Sequence, residues 1–411
     1  MDLITDLHLH SRYSQACSRN ISIDNLEKWG KIKGLNLLGT SDFTHPEWIN
    51  EIKNKLKEEG NGILRTKEGF PFILSSEISL IYKQGGKGRR VHHILLAPSL
   101  EIVEQITNEL LKWGRVDYDG RPIFGKSCVE FVEKMKGISG DIEIVPAHCL
   151  TPWFSLFGSN SGFDSIQECY GDQAKHIYSI ETGLSSDPEM NWRLSQLDNK
   201  QILSFSDSHA FWPFRLGREA TIFNFSDLTY KNLIKAIRTG EGLSSTIEVD
   251  PSYGKYHFDG HRKCGVCMHP KDSINNKNLC PKCGRILTIG VLHRVEELAD
   301  REEGYVPKNA KPFFKLLPLS EIIAGVTGRG LNTQGNWSIY YKLTREFKSE
   351  FDILMRASKE ELDKIIEPNL VDAILRNRIG DLEVKPGFDG EYGEPLLSSF
   401  VGNVQKSLVE F

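Results

Sequence analysis

Up to about residue 245 two textures alternate along the chain: short runs of β-branched and aliphatic residues, and stretches where apolar positions recur every three or four. The runs at 3–7, 35–40, 72–80, 91–97, 142–147, 177–181 and 202–206 predict seven strands. Helix ends are readable between them. Pro46 sits in the first turn of a helix whose Ile49, Ile52 and Leu56 share a face, and Ser99 caps one carrying Ile102, Ile106 and Leu110. Asp187 and Pro188 make an N-cap and N1 pair, and Ser226 opens a helix with Leu233, Ile234 and Ile237 that stops at Gly240. Strands alternating with helices imply βαβ units and parallel pairing, and seven strands fit a distorted (β/α)7 barrel better than a doubly wound sheet.

Past residue 250 the texture changes. Residues 255–290 are polar and hold four cysteines, and 295–301, 319–326, 337–351 and 359–375 predict helices. The stretch KPGFDGEYGEP then leads into the tail. The expected organisation is an α/β barrel over 1–248, a small metal-binding module over 249–291, an all-helical domain over 292–392 and a tail over 393–411.

Composition narrows this reading. A chain of 411 residues exceeds one compact domain, and 39% hydrophobic with 26% charged residues is ordinary for a soluble protein. A net charge of -4 gives no global signal for nucleic acid, so that role has to rest on local patches. The opening MDLITDLHLH has no basic region, apolar core or cleavage site. No run approaches the roughly 18 apolar residues of a membrane span. A cytoplasmic, membrane-free protein is expected.

The chemistry lies at the strand ends. His8 and His10 end the first strand, Asp42 and His45 follow the second, and Glu77 lies late in the third. His92 and His93 lie in the fourth, His148 follows the fifth, Glu181 ends the sixth, and Asp207 and His209 follow the seventh. In a parallel barrel these ends converge on one face. One histidine after a strand is ordinarily a cap or a bonded loop residue, but here half of the twelve histidines, together with His93, take such places. Imidazole with carboxylate suits Zn²⁺, Mn²⁺ or Fe²⁺, whereas a pure Mg²⁺ site prefers oxygens. The donors exceed one ion's needs. Two or three divalent ions (Zn²⁺, Mn²⁺ or Mg²⁺) are expected, with Glu77 bridging, and clustered ions of this kind hydrolyse phosphoesters.

A second site is written in CGVC and CPKC. Cys264, Cys267, Cys280 and Cys283 have the spacing of a closed structural Zn²⁺ site, with a redox pair as the alternative. Lys263, Lys271, Lys282 and Arg285 add local positive charge. Cys17, Cys128, Cys149 and Cys169 are expected to be reduced thiols.

DLHLHS, GTSDFTH, SSEISL, VHHILLAP, PAHC and SDSH resemble the successive motifs of the PHP (polymerase and histidinol phosphatase) family. The resemblance implies a distorted seven-stranded barrel with three ions. His8, His10, Glu77 and Asp207 would hold one, Glu77, His93 and His148 the second, and His45 and His209 would help hold the third. Two departures bear on that third ion: SRYSQACS lacks the family's further histidine, and Asp42-Phe43 stands where Asp-His is usual. Strand alternation lets only one of His92 and His93 face the site.

The order of parts, with GTSDFTHPEW, VHHILLAPSLE, the paired CxxC motifs and LPLSEIIAG, resembles the endonuclease Q family. That implies a monomeric, nucleoid-associated DNA repair endonuclease. Its substrate would be double-stranded DNA with a uracil, hypoxanthine, xanthine or abasic site. Metal-activated hydroxide would cut on the 5′ side of the lesion, leaving 3′-hydroxyl and 5′-phosphate ends. Gln405, Leu408 and Phe411 match the Q-x-x-L-x-x-F peptide that docks on a PCNA-type sliding clamp, with an ordinary terminal helix as the alternative. The aromatic loop 153–163 and the run 211–214 are candidates to read a flipped base. Lys83, Lys87, Arg89 and Arg90 are candidates to hold the DNA backbone. The rival readings are a histidinol-phosphate-type phosphatase, which needs a barrel alone, and a non-catalytic adaptor joining DNA to the clamp.

Overall fold

The computed structural model describes residues 2–397, so Gln405, Leu408 and Phe411 lie outside the described residues. The strand Asp2–Asp6 pairs in parallel with Leu37–Gly39, which pairs in parallel with Pro71–Gln84. Lys87–Ala97 returns antiparallel to Pro71–Gln84 and lies antiparallel to Glu143–Pro146. The Cys149 amide donates to the Glu181 carbonyl at 2.8 Å and carries the ring to Ser179–Glu181, which pairs in parallel with Gln201–Leu203. The His10 amide donates to the Ser208 carbonyl at 3.0 Å and closes the circle. Seven strands thus form a distorted barrel, as the apolar runs predict.

One expectation is corrected. The fourth strand is antiparallel, because Gly85 and Gly86 (φ 61° and 77°) make a two-residue turn too short for a crossover. His92, midway along that strand, therefore points to the same rim as the strand-end ligands.

Leu7, Leu37, Ile73, Ile94, Val145, Leu203 and Phe223 pack with Leu233, Ile234 and Ile237 of the helix Tyr230–Thr239. That helix is capped by Thr229, whose hydroxyl accepts from the Asn232 amide, three residues beyond the expected Ser226. Ser99 and Asp187 cap the helices Leu100–Leu111 and Pro188–Trp192 as expected. Ala220–Asn224, Leu243–Glu248 and Phe313–Lys315 extend the sheet beyond Asp2–Asp6, outside the seven-strand reading.

The carboxyl-terminal region is helical, with two breaks. The helix expected over 337–351 is two, Gln334–Glu346 and Glu350–Met355, parted where Lys348 takes φ 70° and Ser349 caps the second. The one expected over 359–375 splits into Lys359–Leu362 and Pro368–Arg378, because Pro368 can begin a helix but not continue one. These helices are locked to the barrel. Lys33 Nζ lies 2.7 Å from Glu350 Oε1 and donates to the Pro213 carbonyl, all out of water. Trp212 packs on Trp29 and Trp337 at 5.3 and 5.5 Å between centroids. Phe211 and Phe214 are buried in that seam, so the run 211–214 joins the two regions and is not a base-reading pocket. Among the described residues no helix is long and apolar enough to cross a membrane.

Candidate metal centre

The strand ends bring two donor groups together, His8/His10/Asp207 and Glu77/His92/His148, each with ligand atoms within 4.8 Å of one another. Glu77 joins them. Its Oε1 lies 2.7 Å from His92 Nδ1, 3.2 Å from His148 Nε2 and 3.6 Å from His8 Nε2, and its Oε2 lies 3.3 Å from His10 Nε2. Asp207 Oδ1 lies 3.0 Å from His10 Nε2 and 3.6 Å from His8 Nε2.

The far side of three of the four rings is anchored. His8 Nδ1 meets Glu181 Oε1 at 2.9 Å, and His148 Nδ1 meets Thr151 Oγ1 at 2.8 Å. His10 Nδ1 faces Asp42 Oδ1 at 3.4 Å, and Asp42 also accepts from the Ser11 amide and the Ser14 hydroxyl. Such outer partners fix ring orientation and tautomer in metal sites. Among the described residues the buried His8 Nε2 has no hydrogen-bond partner, and it faces the two carboxylates with the lone pair a cation would take. The donors therefore fit divalent ions. Asp42, His148 and Asp207 hold φ of 36°, 33° and 46°, backbone strain that clusters at functional sites. Burial opposes charge on Glu77, yet the surrounding imidazoles and the Arg121 guanidinium hold its carboxyl well below the usual range. Burial pushes the His92 imidazole down to about 4, so it is neutral and offers a lone pair.

The expected ligand set is changed in three places. His93 is not in the cluster. Ser79 stands opposite His92 and Ile78 opposite His93, so parity puts His92 on the face of Glu77 and His93 on the other. There His93 Nε2 meets the Tyr170 hydroxyl at 2.7 Å. Asp42 orients His10 and belongs to neither group. His45 stacks on Tyr13 at 4.2 Å as the N-cap of Pro46–Lys55, outside both groups. His209 stays close, its ring 4.5 Å from that of His10 and its Nδ1 held by the Asp207 carbonyl. His92 is the alternative to His93 that strand alternation leaves open, Glu181 is a strand-end residue that serves as an anchor, and the residue the sequence misses is Arg121, whose Nη1 lies 3.0 Å from Glu77 Oε2. Glu181 carried the strand-end signal; Arg121, in a turn far from any predicted strand end, carried none.

Beside the cluster, the Phe154 ring lies 4.6 Å from that of His92, and Arg90 lies over Trp153 and Phe154 at 5.7 and 5.5 Å. Trp153 is 48% exposed, whereas Leu156, Phe157 and Phe163 of the same loop are core. Arg89 is withdrawn as a DNA contact. It is buried, donates to the Gly162 carbonyl and Glu168, and lies 4.0 Å over Phe163, holding that loop down. Lys83 and Lys87 are exposed at the hairpin tip.

The cysteine module is also changed. Ligand atoms of His261, Cys264, Cys280 and Cys283 lie within 4.8 Å of one another, and Cys267 is not among them. His261 pairs with Val266 across the hairpin Asp259–His261/Val266–Met268 and shares its inward face, while Cys267 is one residue on and exposed. One imidazole and three thiols suit a tetrahedral ion as well as four thiols do.

Residues 318–381 match the family model described as the MJ0043 C-terminal domain. The uncharacterized protein MJ0043 of Methanocaldococcus jannaschii is 34% identical over 293 residues, which is 69% of this chain but only 35% of that longer protein. The uncharacterized protein YqxK of Bacillus subtilis is 27% identical over 95% of this chain and 98% of its own. The crystal structure of PfuEndoQ, the lesion-specific endonuclease of Pyrococcus furiosus, superposes with a TM-score of 0.87 at 34% identity, covering 96% of this chain and 95% of that one. Endonuclease Q in complex with a 27-mer duplex carrying an abasic lesion at the active site superposes with a TM-score of 0.85, also at 34% identity and covering 96% of both chains. Identity at that level over nearly the whole of both chains, with the two donor groups and the cysteine module in place, means that this chain belongs to the endonuclease Q family.

Proposed function

We propose that this chain is a DNA repair endonuclease that hydrolyses the phosphodiester on the 5′ side of an abasic site or a deaminated base, leaving 3′-hydroxyl and 5′-phosphate ends. The observation that carries the reading is Glu77, an ionised and fully buried carboxylate reaching both donor groups. It lies in a chain that superposes over 96% of its length on a nuclease with an abasic duplex at its active site.

His8, His10, Asp207, Glu77, His92 and His148 would hold divalent ions, with His209 beside them. Such ions supply a water of lowered pKa and positive charge against the phosphate. Glu181, Asp42 and Thr151 hold the imidazoles so that their free nitrogens converge. Trp153, exposed next to Phe154, which packs on His92, and backed by Arg90, would stack on a base near the cut, since base–aromatic stacking contributes about 1–3 kcal/mol per base. We assign catalysis to 1–248, a Zn²⁺-held module to 249–291 and helical support to 292–392. Gln405, Leu408 and Phe411 would recruit a PCNA-type clamp, a role that rests on sequence alone.

The test is a cutting assay on labelled duplexes carrying one abasic site, one uracil, one hypoxanthine or only normal bases, with Mg²⁺ or Mn²⁺. A nick immediately 5′ of the lesion, absent from the normal duplex, is expected. Turnover of phosphomonoesters with every duplex intact would replace this reading with a small-molecule phosphatase.

A further inference from the structure

The turn Asp119-Gly120-Arg121 enters the metal centre from between the helix Leu100–Leu111 and the strand Ile123–Phe124, and it is fixed on every side. Asp119 Oδ1 accepts from the Arg121 amide at 3.0 Å and the Gln15 amide at 3.4 Å. The Gly120 amide donates to the Tyr13 carbonyl, and the Pro122 carbonyl accepts from the Ser79 amide at 3.0 Å. Gly120 is pressed against the site: a Cβ there would lie 2.2 Å from Asp42 Oδ2 and 2.4 Å from Ser14 Oγ. Only glycine fits that approach. The backbone is thus built to deliver one side chain, Arg121, whose Nη1 bonds Glu77 Oε2.

A guanidinium at this place is a poor device for holding cations. It competes with them for the carboxylate that joins the two donor groups. It is a good device for holding an anion that arrives with them. Arginine presents five donors in a planar fork that matches two oxygens of a phosphate, and the one hydrogen bond of its side chain among the described residues uses Nη1 alone. The side chain is 22% exposed, so substrate can reach it.

We propose that Arg121 binds a non-bridging oxygen of the scissile phosphate and stabilises the charge that builds there during cleavage. The proposal rests on the phosphodiesterase reading above and adds a catalytic residue to it.

The experiment compares the full-length protein with Arg121→Ala and Arg121→Lys. The substrates are an abasic duplex and the generic diester bis(p-nitrophenyl) phosphate, and metal content and melting temperature are measured alongside. Single-turnover cutting by Arg121→Ala should fall by about 100–1,000-fold, the usual loss for one preorganised donor to the reacting group. Metal content and melting temperature should stay at wild-type values. Millimolar guanidinium should restore part of the lost rate, and Arg121→Lys should fall between the two. Cutting by Arg121→Ala within threefold of wild type, loss of bound metal with the activity, or no response to guanidinium would each overturn the proposal. If wild type hydrolyses the generic diester but leaves lesion DNA intact, and Arg121→Ala slows that hydrolysis, the repair reading falls while Arg121 keeps its role. If wild type hydrolyses neither, both fall.

Discussion

Alanine at His92 and alanine at His93, adjacent in one strand, are expected to have opposite consequences. His92 Nδ1 is 2.7 Å from Glu77 Oε1 and 3.3 Å from His148 Nε2, so its removal takes one of three donors from a buried group. Loss of an outer partner of a metal ligand costs about 10–100-fold in affinity or activity, and loss of the ligand should exceed that, so at least about 100-fold in cutting rate is expected. Stability should change little beyond the lost ion. His93 is wholly buried, its ring 5.1 Å from that of Phe131 and its Nε2 2.7 Å from the Tyr170 hydroxyl. Alanine there leaves a cavity and takes the imidazole bond from a buried hydroxyl, together about 2–4 kcal/mol. Bound metal and cutting at 25 °C should survive. The assay is metal per chain after dialysis, the urea midpoint and the cutting rate, measured for both variants. Loss of metal from His93→Ala with full retention in His92→Ala would refute the register argument.

Three further outcomes follow from the packing. Lys33→Met leaves the buried Glu350 carboxylate, among the described residues, with only the Tyr340 hydroxyl and the Leu319 amide, so the protein should be less stable to urea by about 3–5 kcal/mol; a change below 1 kcal/mol would contradict the buried pair. His261→Ala should release the module's ion while Cys267→Ser retains it, read as zinc per chain, and the reverse result would restore the four-cysteine site. Burial pushes His257 from 6.5 down to about 4. The unfolded chain then binds a proton that the folded chain refuses, so its stabilising effect is full above pH 6.5. It is lost as pH falls towards 4, by about 3 kcal/mol. Urea midpoints at pH 7 and 4.5 should therefore converge in His257→Phe, and an unchanged acid sensitivity would remove His257 as the cause.

The barrel strands were legible because most carry an apolar run buried on both faces, and their ends were legible because ligand-type residues follow such runs. What decided the details was pairing, which a single sequence does not print. Period two excludes one of His92 and His93, but only the hairpin register says which, because Ser79 and not Ile78 stands opposite His92. His261 has no cysteine spacing to announce it and joins the module through its place opposite Val266. Phe211, Trp212 and Phe214 read as a surface for bases because the helical region that covers them comes more than a hundred residues later. Arg121 lies in a turn whose importance comes from Asp42 and Ser14 pressing on Gly120, a contact across some eighty residues or more.

The central claim, that the barrel centre uses bound divalent ions to cut DNA at a lesion, is tested most directly by metal add-back on a single substrate. The full-length protein is stripped with chelator and dialysed. Cutting of an end-labelled duplex with one abasic site is then followed as Mn²⁺ or Mg²⁺ is restored, with Asp207→Asn alongside. The account predicts no cutting by the stripped protein and a nick immediately 5′ of the lesion on restoring metal. It also predicts lesion binding by Asp207→Asn with cutting lowered by at least about 100-fold. Cutting that persists in chelator, or equal cutting by Asp207→Asn, would contradict it.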